Sequence, residues 1–67
     1  MSKFNKEELS SWWNNQTSKI RKEILKEARF HSADIKGYKL YNQSIWDLES
    51  SGWGIESISN ARLRLGI

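Results

Sequence analysis

Residues 17–29, TSKIRKEILKEAR, decide the fold. Ile20, Ile24, Leu25 and Ala28 recur at the three- and four-residue spacing that lines one face of an α-helix, and Lys19, Lys22, Lys26 and Arg29 gather on the opposite face. Thr17 or Ser18 is placed to cap the start of this helix, although a helix running through from the preceding segment is also compatible. Glu23, four residues after Lys19, and Glu27, at the border of the apolar face, partly compensate the basic side. One amphipathic helix cannot cover its own apolar face, so the flanking segments must supply the rest of a core.

Upstream, Asn5 is a favourable N-cap, Glu8 stands at the third helical position, and Phe4 is spaced to staple onto Leu9. A helix is therefore expected from Lys6, with Leu9, Trp12 and Trp13 on one side. Downstream, residues 33–41 contain Gly37 and a partial alternation, which reads as a loop or a short extended piece. Ser44 followed by Asp47 resembles a capping box for a short helix, with Ile45, Trp46 and Leu48 as its apolar contacts and Gly52 as its stop. Ile55, Ile58, Ala61 and Leu65 then recur at helical spacing, with Arg62 and Arg64 late in the segment and Gly66 just past its end. The same stretch admits a strand in which Ala61, Leu63, Leu65 and Ile67 alternate with Arg62 and Arg64. The expected fold is all-α, a compact bundle of three to four short helices over residues 1–67, with α+β and a short C-terminal strand as the alternative.

At 67 residues the chain is too short for two domains and in the range where one core leaves only a thin surplus of stability. Without cysteine there is no disulfide or thiolate site, and a single histidine cannot build a metal site unaided. The four tryptophans, two tyrosines and two phenylalanines must then serve either as core or as interface. The N-terminal residues carry no apolar signal region, and no run approaches the roughly 20 apolar residues of a membrane span, so the chain reads as cytoplasmic.

The net charge of +3 is unevenly distributed. Residues 17–39 hold seven basic and three acidic groups, while residues 40–61 hold three acidic groups and no lysine or arginine. The two segments either face each other and solvent within one fold, or the first presents a basic surface to an acidic partner. Catalysis needs a constellation, and none is visible. His31 stands alone near a helix end, there is no glycine-rich phosphate loop, and the carboxylates are scattered or placed at caps. No cofactor or metal is expected, and the chain reads as a non-enzyme.

Two surfaces are candidates for binding. Neighbours on a helix lie about 100° apart, so of Trp12 and Trp13 one ring can enter the core while the other anchors a partner or a second copy of the chain. Lys19, Lys22, Lys26 and Arg29 form the basic counterpart, and Tyr38 and Tyr41 are the nearest aromatics that could join them for stacking on single-stranded nucleic acid. Leu48, Gly52, Trp53, Ile58 and Ala61 have the apolar and glycine spacing of a helix-turn-helix, and residues 48–61 resemble that DNA-binding motif. They resemble the ubiquitin-associated three-helix domain equally well. The first resemblance implies a reading helix presenting Ser57, Asn60 and Arg64, with Arg62 at its flank. Asp47, Glu49 and Glu56 stand where a DNA reader would carry cations.

The expected function is a small non-enzymatic regulatory or adaptor protein that docks on another protein through an aromatic and basic surface, of the kind found among bacterial and phage regulators and inhibitors. A nucleic-acid-binding regulator using residues 48–64 or the basic stripe is the alternative, and a homodimer is compatible with either.

Overall fold

The computed structural model describes residues 4–67. Five α-helices follow one another: α1 (Lys6–Asn14), α2 (Ser18–Glu27), α3 (Ser32–Gly37), α4 (Ile45–Ser50) and α5 (Ile55–Leu65), with a 3₁₀ turn at Leu40–Asn42 between α3 and α4. The all-α expectation holds, and the strand alternative does not, since residues 61–65 complete α5. No helix among the described residues is long and apolar enough to cross a membrane.

Local signals fix the helix starts. The Asn5 side chain accepts from the Glu8 N–H at 2.9 Å, the Thr17 hydroxyl from Ile20 N–H at 3.2 Å, and the Ser44 hydroxyl from Asp47 N–H at 3.1 Å. Each supplies a partner to one of the amides that a helix leaves unpaired at its first turn. Helices α2, α4 and α5 also stop in the same way. In each, a residue two or three positions past the helix returns its N–H to a carbonyl five positions back: Phe30 to Leu25 at 3.1 Å, Trp53 to Leu48 at 2.9 Å, and Ile67 to Arg62 at 3.4 Å. The residue just before it is left-handed in all three, with φ 70° at Arg29, 89° at Gly52 and 71° at Gly66. This is the Schellman arrangement, which satisfies the last carbonyls and reverses the chain without proline.

Residues 33–41 correct the sequence reading. The segment expected to be a loop or extended piece holds α3 and the 3₁₀ turn. His31 provides no side-chain cap for α3, and within the helix only Ile35 is buried, so neither capping nor a periodic stripe announces it. Tertiary packing makes up the difference: α3 lies against α2 and the 3₁₀ turn, and Ile35 and Leu40 both enter the core.

One core receives side chains from every helix: Leu9 and Trp13 from α1, Ile24 and Leu25 from α2, Ile35 from α3, Ile45 and Leu48 from α4, and Ile55, Ile58 and Ala61 from α5, with Leu40 from the 3₁₀ turn. The most extensive packing is α2 against α5, which places the longest amphipathic stripes face to face. Trp46, read from sequence as a packing contact, is instead 46% exposed, with the Lys6 ammonium 4.6 Å from its ring centre. Among the described residues no buried side-chain polar atom lacks a hydrogen-bond partner.

Candidate partner-binding surface

The two adjacent tryptophans take opposite roles. Trp13 is 0% exposed, and its indole N–H donates to the Gln43 carbonyl at 2.8 Å. It has no surface to offer a partner, so its place among the expected binding residues is corrected to a core position. Trp12 is half-buried, with the Arg62 guanidinium 4.7 Å from its ring centre.

Arg21 is a residue the sequence reading passed over. It lies on α2 away from the lysine stripe, and its Nε and Nη1 donate to the carbonyls of Trp13 and Tyr41, each at 3.0 Å, with the guanidinium 5.3 Å from the Trp13 ring centre. The side chain ties the end of α1 to α2 and to the 3₁₀ turn. Its signal was faint because one arginine among several on an amphipathic helix looks like part of the solvated face.

Charge is distributed by the pairing pattern. Lys6 pairs with Glu49 at 2.6 Å, Arg62 approaches Glu8 at 4.0 Å, and Arg64 pairs with Glu27 at 2.9 Å while also donating to the Glu27 carbonyl at 2.8 Å. Each pair joins different helices, and each involves a cation from α1 or α5. By contrast, Lys19, Lys22, Lys26, Arg29, Lys36 and Lys39 make no ion pair among the described residues. All six are exposed. The acidic flank of α2 therefore turns toward α5, where Glu27 meets Arg64, and the basic flank is left open toward α3.

On that flank the structure brings together two of the four residues read from sequence and adds others, while Arg29 borders a different cavity. Lys22 and Lys26 share a shallow cavity of about 300 Å³ with Lys36, Ser32, Ile35 and Tyr41, and the Lys22 ammonium lies 4.5 Å from the Tyr41 ring centre. Lys36 was missed because it belongs to the helix that the sequence did not announce. Beyond Arg29 the surface becomes aromatic. Phe30 and Trp53 have ring centres 5.8 Å apart, and Tyr38, 62% exposed, lies 5.6 Å from Trp53. Trp53 is half-buried and stands between Gly52 and Gly54 in the turn joining α4 to α5.

That turn and its helices have the order of the helix-turn-helix resemblance, but of the expected reading side chains only Asn60 and Arg62 share a cavity, which Glu56 also lines. Ser57 opens onto the cavity beside Trp53, whereas Asn60 opens onto a separate cavity with Phe4 and Leu63. Arg62 stacks on Trp12 and donates through Nε to the Ile67 carbonyl at 3.0 Å, and Arg64 is held by Glu27. Glu56 and Asp47 are both exposed.

Among the described residues no group of three or more histidine, aspartate or glutamate side chains is placed to hold a metal ion. Comparison with protein-family models, with curated proteins and with solved structures finds no match for this chain.

Proposed function

We propose that this chain is a small non-enzymatic regulatory or adaptor protein of the cytoplasm, which docks on an acidic surface of another protein. Its contact surface is the basic flank of α2 with Lys36, continued by Phe30, Tyr38 and Trp53. The observation that carries this reading is the asymmetry of ion pairing: six exposed cations within residues 19–39 have no carboxylate partner among the described residues, whereas Lys6, Arg62 and Arg64 each have one. An open field of one sign steers an oppositely charged partner and fixes its orientation. Rigid aromatic rings beside that field supply the apolar anchor on which affinity depends.

A second reading, binding of single-stranded nucleic acid, is favoured by one contact, the Lys22 ammonium over the Tyr41 ring. Duplex reading by α5 has less support, because Arg62 and Arg64 are already engaged in contacts with Trp12, Ile67 and Glu27 at the surface.

The test is a pull-down on the full chain, with and without nuclease, paired with a native mass measurement and repeated with Lys22→Glu/Lys26→Glu and with Trp53→Ala. Docking on a protein predicts a nuclease-resistant partner that both variants lose. Recovery of nuclease-sensitive material alone would move the assignment to nucleic acid.

A further inference from the structure

Three helices of this chain end in one backbone geometry, and so provide an internal comparison. At the left-handed position α4 has Gly52 and α5 has Gly66, whereas α2 has Arg29. Glycine is the usual residue there because a Cβ is disfavoured at positive φ. Space is not the reason for the glycines, since a Cβ added at Gly52 or Gly66 would meet nothing within 4 Å. Arg29 therefore carries a conformational cost that its two counterparts avoid. Nothing inside the fold offsets it: the side chain is exposed and makes no ion pair or hydrogen bond among the described residues. Lys39, at φ 50°, is the other non-glycine residue in this conformation, and it too is one of the six unpaired cations.

The surroundings of Arg29 indicate what the cost is for. Phe30 and Trp53, the residues that follow the left-handed positions of α2 and α4, meet with their ring centres 5.8 Å apart. They form the apolar wall of a shallow cavity of about 250 Å³, bordered by Arg29, His31, Asp34 and Ser57. Lys22 and Lys26 stand on α2 ahead of Arg29, which lies past the helix end. A guanidinium beside an aromatic wall matches a carboxylate that has an apolar neighbour, because arginine can hold both carboxylate oxygens in its planar fork. Asp34 borders the same cavity, and its like charge disfavours further negative groups there, which limits the fit to one carboxylate held at the Arg29 side and opposes a run of phosphates.

We propose that this cavity seats an acidic segment of a partner protein, with one carboxylate on the Arg29 guanidinium and an adjacent apolar side chain against Phe30 and Trp53. Arginine is kept at a glycine position for that contact. The inference rests on the protein-docking reading and narrows it to one residue and one cavity.

The experiment is an NMR titration of the ¹⁵N-labelled full chain with a blocked synthetic peptide of alternating glutamate and leucine, and separately with a short oligothymidylate. Saturable shifts are expected from the peptide at the Arg29 Nε–H, the Trp53 indole N–H and the Ser57 amide. Arg29→Gly should weaken the peptide by about tenfold and raise the melting temperature by on the order of 5 °C. Arg29→Lys, which keeps the charge without the fork, should also bind more weakly. The proposal is overturned if the peptide leaves those three signals unmoved, if Arg29→Gly binds it as wild type does, if that variant melts lower, or if oligothymidylate saturates the same signals more tightly. Capture of a protein partner by the Arg29→Gly variant at wild-type level would remove this cavity and leave the wider docking reading standing.

Discussion

The indole N–H of Trp13 reaches the carbonyl oxygen of Gln43 across thirty positions of sequence, at 2.8 Å, and so pins α1 to the chain entering α4. The ring is buried and the carbonyl partly so, which makes the bond hard for water to replace. Trp13→Phe keeps much of the apolar contact but leaves the Gln43 carbonyl without this donor, and should cost about 2 kcal/mol. Urea unfolding followed by circular dichroism measures it, and a loss below half that value would show that the carbonyl finds water.

Arg21 binds two backbone carbonyls belonging to different parts of the chain. Arg21→Ala should destabilise by about 2–3 kcal/mol, because charged donors to carbonyls are worth more than neutral ones and both acceptors are left behind. Lys22→Ala, one residue along, should change stability by less than about 0.5 kcal/mol. Chemical denaturation of the two variants side by side separates a structural cation from an unpaired one.

The caps of α2 and α4 give a third expectation. Thr17→Ala and Ser44→Ala each remove a side-chain acceptor from a first-turn amide, at a cost of about 1 kcal/mol. Thermal melts check the size, and a double variant should show the sum, since the two sites share no contact and the effects of independent sites add.

Arg64→Ala should cost less than about 1 kcal/mol, as its pair with Glu27 is partly exposed. Because Arg64 is engaged by Glu27 on the far side of α2 from the lysine stripe, the same substitution should leave partner affinity unchanged. Isothermal titration against the captured partner reads this, and a loss comparable to that of Lys22→Glu/Lys26→Glu would restore α5 as a reading helix.

Salt separates the contributions of the two halves of the surface. Partner affinity should fall as ionic strength rises through the contribution of Lys22, Lys26 and Lys36, while the loss caused by Trp53→Ala should stay the same size at every salt concentration. A wild-type affinity that falls with the steep logarithmic slope of counterion release would mark nucleic acid instead.

Much of this architecture was legible because its devices are local. Asn5, Thr17 and Ser44 act within one turn, and the stripe Ile20, Ile24, Leu25, Ala28 needs only helical spacing to be seen. Helix α3 was not legible because its stability comes from Ile35 packing against α2 and the 3₁₀ turn, and not from a cap. Arg29 was read as the last member of a solvated stripe, since nothing in its type announces a left-handed backbone, whereas Gly52 and Gly66 announce theirs. The basic flank was visible in part. Its exposed lysines follow from spacing, but its extension by Lys36 and Tyr41 depends on how a non-periodic segment folds back. The split between Trp12 and Trp13 follows from their angular offset, yet which ring enters the core is decided by the position of Gln43.

The pairing of Arg64 with Glu27 and of Lys6 with Glu49 has a consequence for the molecule as an electrical object. Those contacts neutralise charge around α1, α4 and α5 and leave the surplus at one end, so the chain carries a permanent dipole moment in addition to its net charge of +3. A cation-exchange resin would engage that end first and retain the protein beyond what its net charge implies, with the opposite end turned away.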